Sequence, residues 1–279
     1  MKKTQPLIKG KPLIVNAGIR RKYQRELRKI VRRAILLTNT MLKKVVPEVR
    51  AEIAHTAQDS ALTDFESDIN NIKSVVNDYI DYYSREYLGA LFVDINKNVS
   101  HTFENQLKTM FSGVENALAM TIAPTSFNAD VMQAWIFENV SLIKKITDNY
   151  FTQITTDVTQ IFTTGLSRKD LAKRIYDIGQ TTMRRADLIA EDQISKAYMS
   201  LNLEKFKDAG INKFEWIHTH GGLHPRQYHL HTLNGQIFDV ANPPIIDEKT
   251  QEKGYPGQAP FCRCVMRPVL APEQLRFTF

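Results

Sequence analysis

The sequence predicts an α+β protein, a predominantly helical N-terminal body followed by a small helix-plus-β C-terminal module. Two observations carry this. Up to Gly210 apolar residues recur at spacings of three and four, the period of a helix with one buried face. Past Gly210 the pattern changes to short runs rich in β-branched and aromatic residues, broken by Gly and Pro, as in "KFEWIHT", "GQIFDV" and "CRCVMR". The boundaries read from these changes are an extended arm over 1–16, a helical body over 17–180 and the module over 181–279.

In the arm, Pro6, Gly10 and Pro12 interrupt any helix. From Ala17 onward Ile19, Tyr23, Leu27, Ile30, Val31, Ala34, Leu37, Met41, Leu42 and Val45 fall in one sector at 100° per residue, which predicts a two-faced helix ending before Pro47. Between 48 and 130 two or three helices are expected, burying Val75, Val76, Tyr79, Ile80 and Tyr83, then Phe103, Leu107, Met110 and Phe111. "SFNADVMQAWIFENVSLIKKITDNYFTQITTDVTQIFTTG" predicts a further long helix closed near Gly165. Ser167 is placed to cap the next one, with Asp170 in its first turn. "LAKRIYDIG" then reads as a short helix, and 183–210 as a longer one ending at Gly210. Trp216 is expected in the core, and Asn234-Gly235 makes a tight turn into a strand because this pair tolerates positive φ.

Composition narrows the function classes. Apolar residues make up 43% and charged residues 24%, the balance of a folded globular protein. No run of 18 uncharged apolar residues occurs, so no membrane partner is expected, and the basic N-terminus lacks the apolar stretch of a secretory signal. Folding in a reducing cytoplasm follows, with Cys262 and Cys264 as thiols. The net charge of +7 is unevenly spread: residues 1–45 hold 14 Lys or Arg against the single acid Glu26. Arg21, Lys22, Arg25, Arg28, Lys29, Arg32 and Arg33 fall opposite the apolar sector of the first helix. They are the candidate contacts for a polyanion, with double-stranded DNA bound independently of sequence as the leading partner, and intramolecular acids as the plainer alternative.

The stretch "WIHTHGGLHPRQYHLHTLNGQIF" holds five of the seven histidines: His218, His220, His224, His229 and His231. On a strand, residues two apart share a face, so the H-x-H pairs and Cys262 with Cys264 could present ligands to one metal. His229, His231, Cys262 and Cys264 are the candidate set, for a structural zinc. The favoured reading has no cofactor: the cysteines are small buried hydrophobes and the histidines polar decoration. A catalytic reading pairs two histidines with Arg226 for phosphodiester cleavage, but no signature orders these groups, and the chain is not expected to be an enzyme.

The succession "NVSLIKKI" (139–146), "GLSRKDLAKRI" (165–175), "RRADLIAEDQISKAYMSLNLEKFKDAGINKFEWIHT" (184–219), "PRQYHLHTLNGQIF" (225–238) and "PFCRCVMRPV" (260–269) resembles the phage head morphogenesis family, the Mu F-like minor head proteins. The resemblance covers 139–269. It implies a minor capsid protein of the virion, in the head interior or at the portal vertex, present in the host cytoplasm during assembly. Its implied partners are the portal protein, other head proteins and packaged or ejected DNA. A His- or metal-dependent nuclease in the same particle is the alternative.

Overall fold

The computed structural model describes residues 7–53, 58–110, 129–164, 168–220 and 225–270, apart from the side chains of 42–53, 58–65, 158–159, 161–164 and 168–172. Gly165, Ser167, Phe111 and His224, read above as a helix stop, a cap, a core residue and one of the clustered histidines, lie outside the described residues. The elements run β1 (Ile8–Lys9), α1 (Ala17–Ile53), α2 (Gln58–Met110), α3 (Ala129–Thr164), α4 (Arg168–Asp208), β2 (Lys213–Ile217), a π-helical turn (His229–Leu233), β3 (Ile237–Asp239), β4 (Ile245–Asp247), β5 (Glu252–Lys253) and β6 (Val265–Leu270). This is an α+β fold with a largely helical body and a small C-terminal sheet.

Asn16 starts α1: its Oδ1 accepts from the backbone N–H of Gly18 at 2.8 Å and of Ile19 at 3.1 Å, satisfying two donors that have no partner inside the helix. The helix does not stop before Pro47 but runs through it to Ile53. A proline deletes one i→i−4 bond at a cost of about 3 kcal/mol, which disfavours continuation without forbidding it. Two or three helices were expected between 48 and 130; residues 58–110 form one helix that runs through Gly89, and 54–57 and 111–128 lie outside the described residues. Its buried row is Ile69, Ile72, Val76, Ile80, Leu88, Leu91, Ile95, Val99, Phe103 and Leu107. Val75 and Tyr83, expected inside, are exposed, and the small polar Ser84 takes the buried position. An aromatic at every third or fourth place blurs which stripe faces inward.

Likewise α4 is one helix where two were read. Gly179 lies inside it, and a Cβ there would meet only Ile35 at ordinary contact distance, so nothing demands a break. The expected stop at Gly210 is present in full. Gly210 has φ +64°, the N–H of Ile211 donates to Phe206 O at 2.8 Å and that of Gly210 to Lys207 O at 3.1 Å, the paired bonds of a Schellman cap.

The chain forms two compact units: 21–90 with 133–190, and 1–20 with 91–132 and 191–279. The first is helical. Tyr23 of α1 bonds Asn139 of α3 through its hydroxyl, and its ring lies tilted against Trp135 at 5.9 Å between centroids; Lys144 of α3 reaches Asp81 of α2 at 2.5 Å; Arg174 of α4 reaches Asp157 of α3 at 3.1 Å. Around these polar ties the core is Leu27, Val31, Val76, Ile80, Ile143 and Ile154.

In the second unit a four-stranded antiparallel sheet runs in the order β1-β6-β2-β3, with β4 and β5 forming a separate hairpin. Alternation along β2 sends Phe214 and Trp216 into a core with Leu13, Phe103, Leu107, Phe206, Leu233, Ile246 and Met266. Glu215, on the opposite face, is buried between Arg267 at 3.1 Å and Lys9 at 3.2 Å. The N-terminal arm thereby becomes part of the sheet. Ile8 registers with Leu270, and the N–H groups of Gly10 and Leu13 donate to Pro268 O and Met266 O at 3.0 and 2.9 Å.

Candidate functional site

The basic face of α1 lies where the helical period puts it. Tyr23, Leu27, Ile30, Val31 and Ala34 are buried, while Arg21, Arg25, Arg28, Lys29, Arg32 and Arg33 are exposed and Lys22 is half-buried. Three of these cations are engaged by acids. Glu26 takes Lys29 at 2.8 Å and Arg25 at 3.5 Å, and Asp187 of α4 takes Arg28. The Asp187 bond, then the same carboxylate's charge, raises the Arg28 pKa further. Among the described residues no ion pair reaches Arg21, Arg32 or Arg33. Arg28 and Arg32 also border an open groove of about 530 Å³ together with Tyr176 and Arg184.

The histidine-rich segment does not behave as strands with paired faces. His229 and His231 lie on the π-helical turn, where residues two apart point to different sides. His229 is 1% exposed, whereas His231 is exposed with its Nε2 3.0 Å from Gln227 Oε1. His218 and His220 lie beyond the end of β2. His220 has φ +55°, and its N–H donates to His218 Nδ1 at 3.1 Å, so this pair closes on itself. Burial, then the neighbouring His220, lowers the His218 pKa. Arg226 is also committed, donating to Pro260 O at 2.9 Å.

Cys262 and Cys264 do share a side, although they precede the paired part of β6 and belong to an extended link. Both are buried free thiols, and both aim at His229: Nδ1 lies 3.5 Å from Cys262 Sγ and 3.8 Å from Cys264 Sγ. The structure thus brings together three of the four candidate ligands and leaves His231 outside.

Local backbone chemistry builds this cluster. Asn234 at φ −59°, ψ 129° and Gly235 at φ +78° form a type II turn closed by the Gln236 N–H donating to Leu233 O at 3.0 Å, so only the glycine takes positive φ. That turn anchors the end of the π-helical segment against Trp216, whose O accepts from Gly235 N–H at 2.7 Å and whose ring stands edge-on to His229 at 5.1 Å. Phe261 has φ +56°, a left-handed conformation worth about 1–2 kcal/mol of strain, and its N–H is held by Asp192 Oδ1 at 2.6 Å. The turn so fixed delivers Cys262 to His229. Gly257, at φ +89°, approaches from the other side, where a Cβ would lie 3.4 Å from Cys264 O.

Electrostatics divides the three groups. A hydrogen bond from Cys264 holds Cys262 far below the usual thiol range against the opposing effect of burial, with further help from His229 and the backbone N–H groups of Cys264 and Gly257. Cys264 is driven up by that same bond and by burial. Burial opposes charge on His229, but the contacts with Cys262 and Ile246 O win and raise its pKa. Trp216 Nε1, a buried donor with no hydrogen-bonding oxygen or nitrogen among the described residues, favours charge on the Cys264 sulfur. Gly257, Asp192, Trp216 and the Ile246 carbonyl were not singled out as site residues from the sequence. Only the "PGQ" turn could have drawn attention to Gly257, and a backbone carbonyl leaves no sequence signal.

Comparison with known proteins places residues 152–267 within the family model described as Phage Mu protein F like protein. An uncharacterized protein of Haemophilus influenzae strain Rd is 38% identical over 133 residues, 47% of this chain and 28% of the relative. The chain therefore spans well under a third of that relative's length. No solved structure matches.

Proposed function

Because residues 152–267 match the family model described as Phage Mu protein F like protein, we propose that the chain is a minor head protein of a phage or prophage particle. It docks at the portal or the inner head surface and presents Arg and Lys of α1 to DNA phosphates. The family match carries the head assignment. Arg21, Arg32 and Arg33, which no ion pair reaches among the described residues, support the DNA contact, because side chains already spent on intramolecular acids would offer a phosphate little. Among the described residues no helix is long and apolar enough to cross a membrane, which fits a partner set of head proteins and nucleic acid.

The role proposed is contact and assembly, with no reaction catalysed. A nuclease built on His229 and His231 needs both rings at one phosphate, and the two point to different sides with His229 buried. Cys262 lacks the exposure that a nucleophile needs to meet its substrate.

The test is co-expression of the full chain with its cognate portal and major capsid proteins, followed by gradient purification of heads and protein quantification. The chain should enter heads at a fixed ratio to the portal and be lost when the portal is omitted. Heads that form normally with the chain remaining in the soluble fraction would overturn the assignment.

A further inference from the structure

We propose that His229, Cys262 and Cys264 bind one zinc ion that ties the π-helical turn to the link preceding β6. Geometry is the first argument. A zinc ion with Zn–S of about 2.3 Å and Zn–N of about 2.1 Å in tetrahedral arrangement places each sulfur roughly 3.6 Å from the ligating nitrogen. The observed separations, 3.5 and 3.8 Å, bracket that edge, and all three donor atoms lie within 4.8 Å of one another.

The tautomer of His229 is the second argument. Its Nε2 is 2.9 Å from Ile246 O, and a carbonyl can only accept, so Nε2 carries the proton. A neutral ring then has its lone pair on Nδ1, the atom facing both sulfurs. A histidine whose far nitrogen donates to a backbone carbonyl is oriented as a metal ligand is oriented.

Charge is the third. Zn²⁺ with two thiolates and a neutral imidazole sums to zero, so the cluster can be buried without the several kcal/mol that an uncompensated ion costs. The strained Phe261 and the close Gly257 are also explained, since both set the course of the chain around Cys262. Three protein donors leave one tetrahedral position for a water molecule.

The experiment uses the full chain, expressed and purified without added metal. Zinc measured by mass spectrometry should reach about one equivalent per chain, and neither thiol should react with a thiol reagent until a chelator is added. Cobalt(II) exchanged for zinc should produce a sulfur-to-metal charge-transfer band. The chain has only two cysteines, so the band reports this site alone. Cys262→Ser and Cys264→Ser should abolish it, and His231→Ala should leave it intact. Where the serine variants fail to fold, the wild-type cobalt spectrum and thiol count decide. Folded protein with two freely reacting thiols, little zinc and no charge-transfer band overturns the proposal, and loss of the band in His231→Ala overturns the ligand set.

Discussion

The guanidinium of Arg28 grips the carboxylate of Asp187 through two parallel hydrogen bonds, Nε to Oδ1 at 2.5 Å and Nη2 to Oδ2 at 2.6 Å. This fork-to-fork pairing engages two of the five N–H donors that Arg28 could offer a phosphate. Charge reversal across the basic face must therefore separate two effects. Arg28→Glu sets a like charge against Asp187 and perturbs α1 against α4, whereas Arg21, Arg32 and Arg33 are in no ion pair among the described residues. Replacing these three with Glu should flatten the dependence of log affinity on log salt for duplex DNA by about 0.9 per lost contact, with little change in sequence preference. Fluorescence anisotropy across a salt series measures this. An unchanged affinity and slope would remove α1 as the DNA contact and favour docking against an acidic protein surface.

The two histidines of the π-helical turn should differ sharply in what they contribute to stability. His229→Ala empties a buried site and strips Ile246 O of its partner, a change expected to cost about 2–4 kcal/mol. His231→Ala removes an exposed contact with Gln227 and should stay within about 0.5 kcal/mol. Urea unfolding of both variants checks the contrast, and equal effects would mean that the ring placed inside is the wrong one.

How far the fold was legible in the sequence depends on the range of the force involved. The buried stripe of α1 from Tyr23 to Ala34 and the stop at Gly210 were read correctly because a helical period and a left-handed glycine act within a few residues. The run of α1 through Pro47, the continuity of α4 through Gly179 and the exposure of Val75 and Tyr83 were not, since packing partners elsewhere in the chain decide them. At the candidate site the C-x-C pair was visible as two donors on one side. The divergence of His229 from His231 was not, because it hangs on a π-helical turn that leaves no periodic signal. Nor does periodicity show that residues 8–13 pair with β6.

Buried tyrosines should govern the alkaline limit of the fold. Burial raises the pKa of Tyr198 to about 12, against smaller lowering effects from Asn16 and Arg20, and its hydroxyl donates to Asn98 Oδ1 at 2.8 Å. Burial likewise raises Tyr23, assisted by nearby Tyr87 and Glu138, and Tyr150, opposed by its bond with Asn39. A group raised in the folded state stabilises fully below its unfolded pKa, here about 10, and loses that contribution as pH climbs toward the folded value. Stability should thus be flat in this respect up to about pH 10 and fall above it. Phenolate absorbance should show one set of tyrosines titrating early and another only with unfolding, as followed by circular dichroism. A single early titration of all ten tyrosines in folded protein would contradict the burial described.

Two glycines offer a final comparison, because they resist a methyl group for different reasons. Gly210 has open space around its missing Cβ, so Gly210→Ala meets only the left-handed φ of +64° and should cost about 1 kcal/mol. At Gly10 a Cβ would lie 2.7 Å from Gln106 Oε1, 2.8 Å from Met110 Sδ and 2.8 Å from Pro268 Cγ. Met110 can move, but the proline ring cannot. Gln106 is fixed by two bonds to Lys11, accepting its N–H at 2.6 Å and donating to its carbonyl at 2.9 Å. Gly10→Ala should therefore cost about 2–3 kcal/mol and push the arm off β6. Hydrogen exchange distinguishes the two outcomes. In Gly10→Ala the Leu13 amide, bonded at 2.9 Å to Met266 O, should lose its protection well before the amides of β2. In Gly210→Ala protection should fall together across the whole unit, in proportion to the lost stability. If Leu13 stays as protected in Gly10→Ala as in the unaltered chain, the arm is held by something other than the close approach of Gly10 to Gln106 and Pro268.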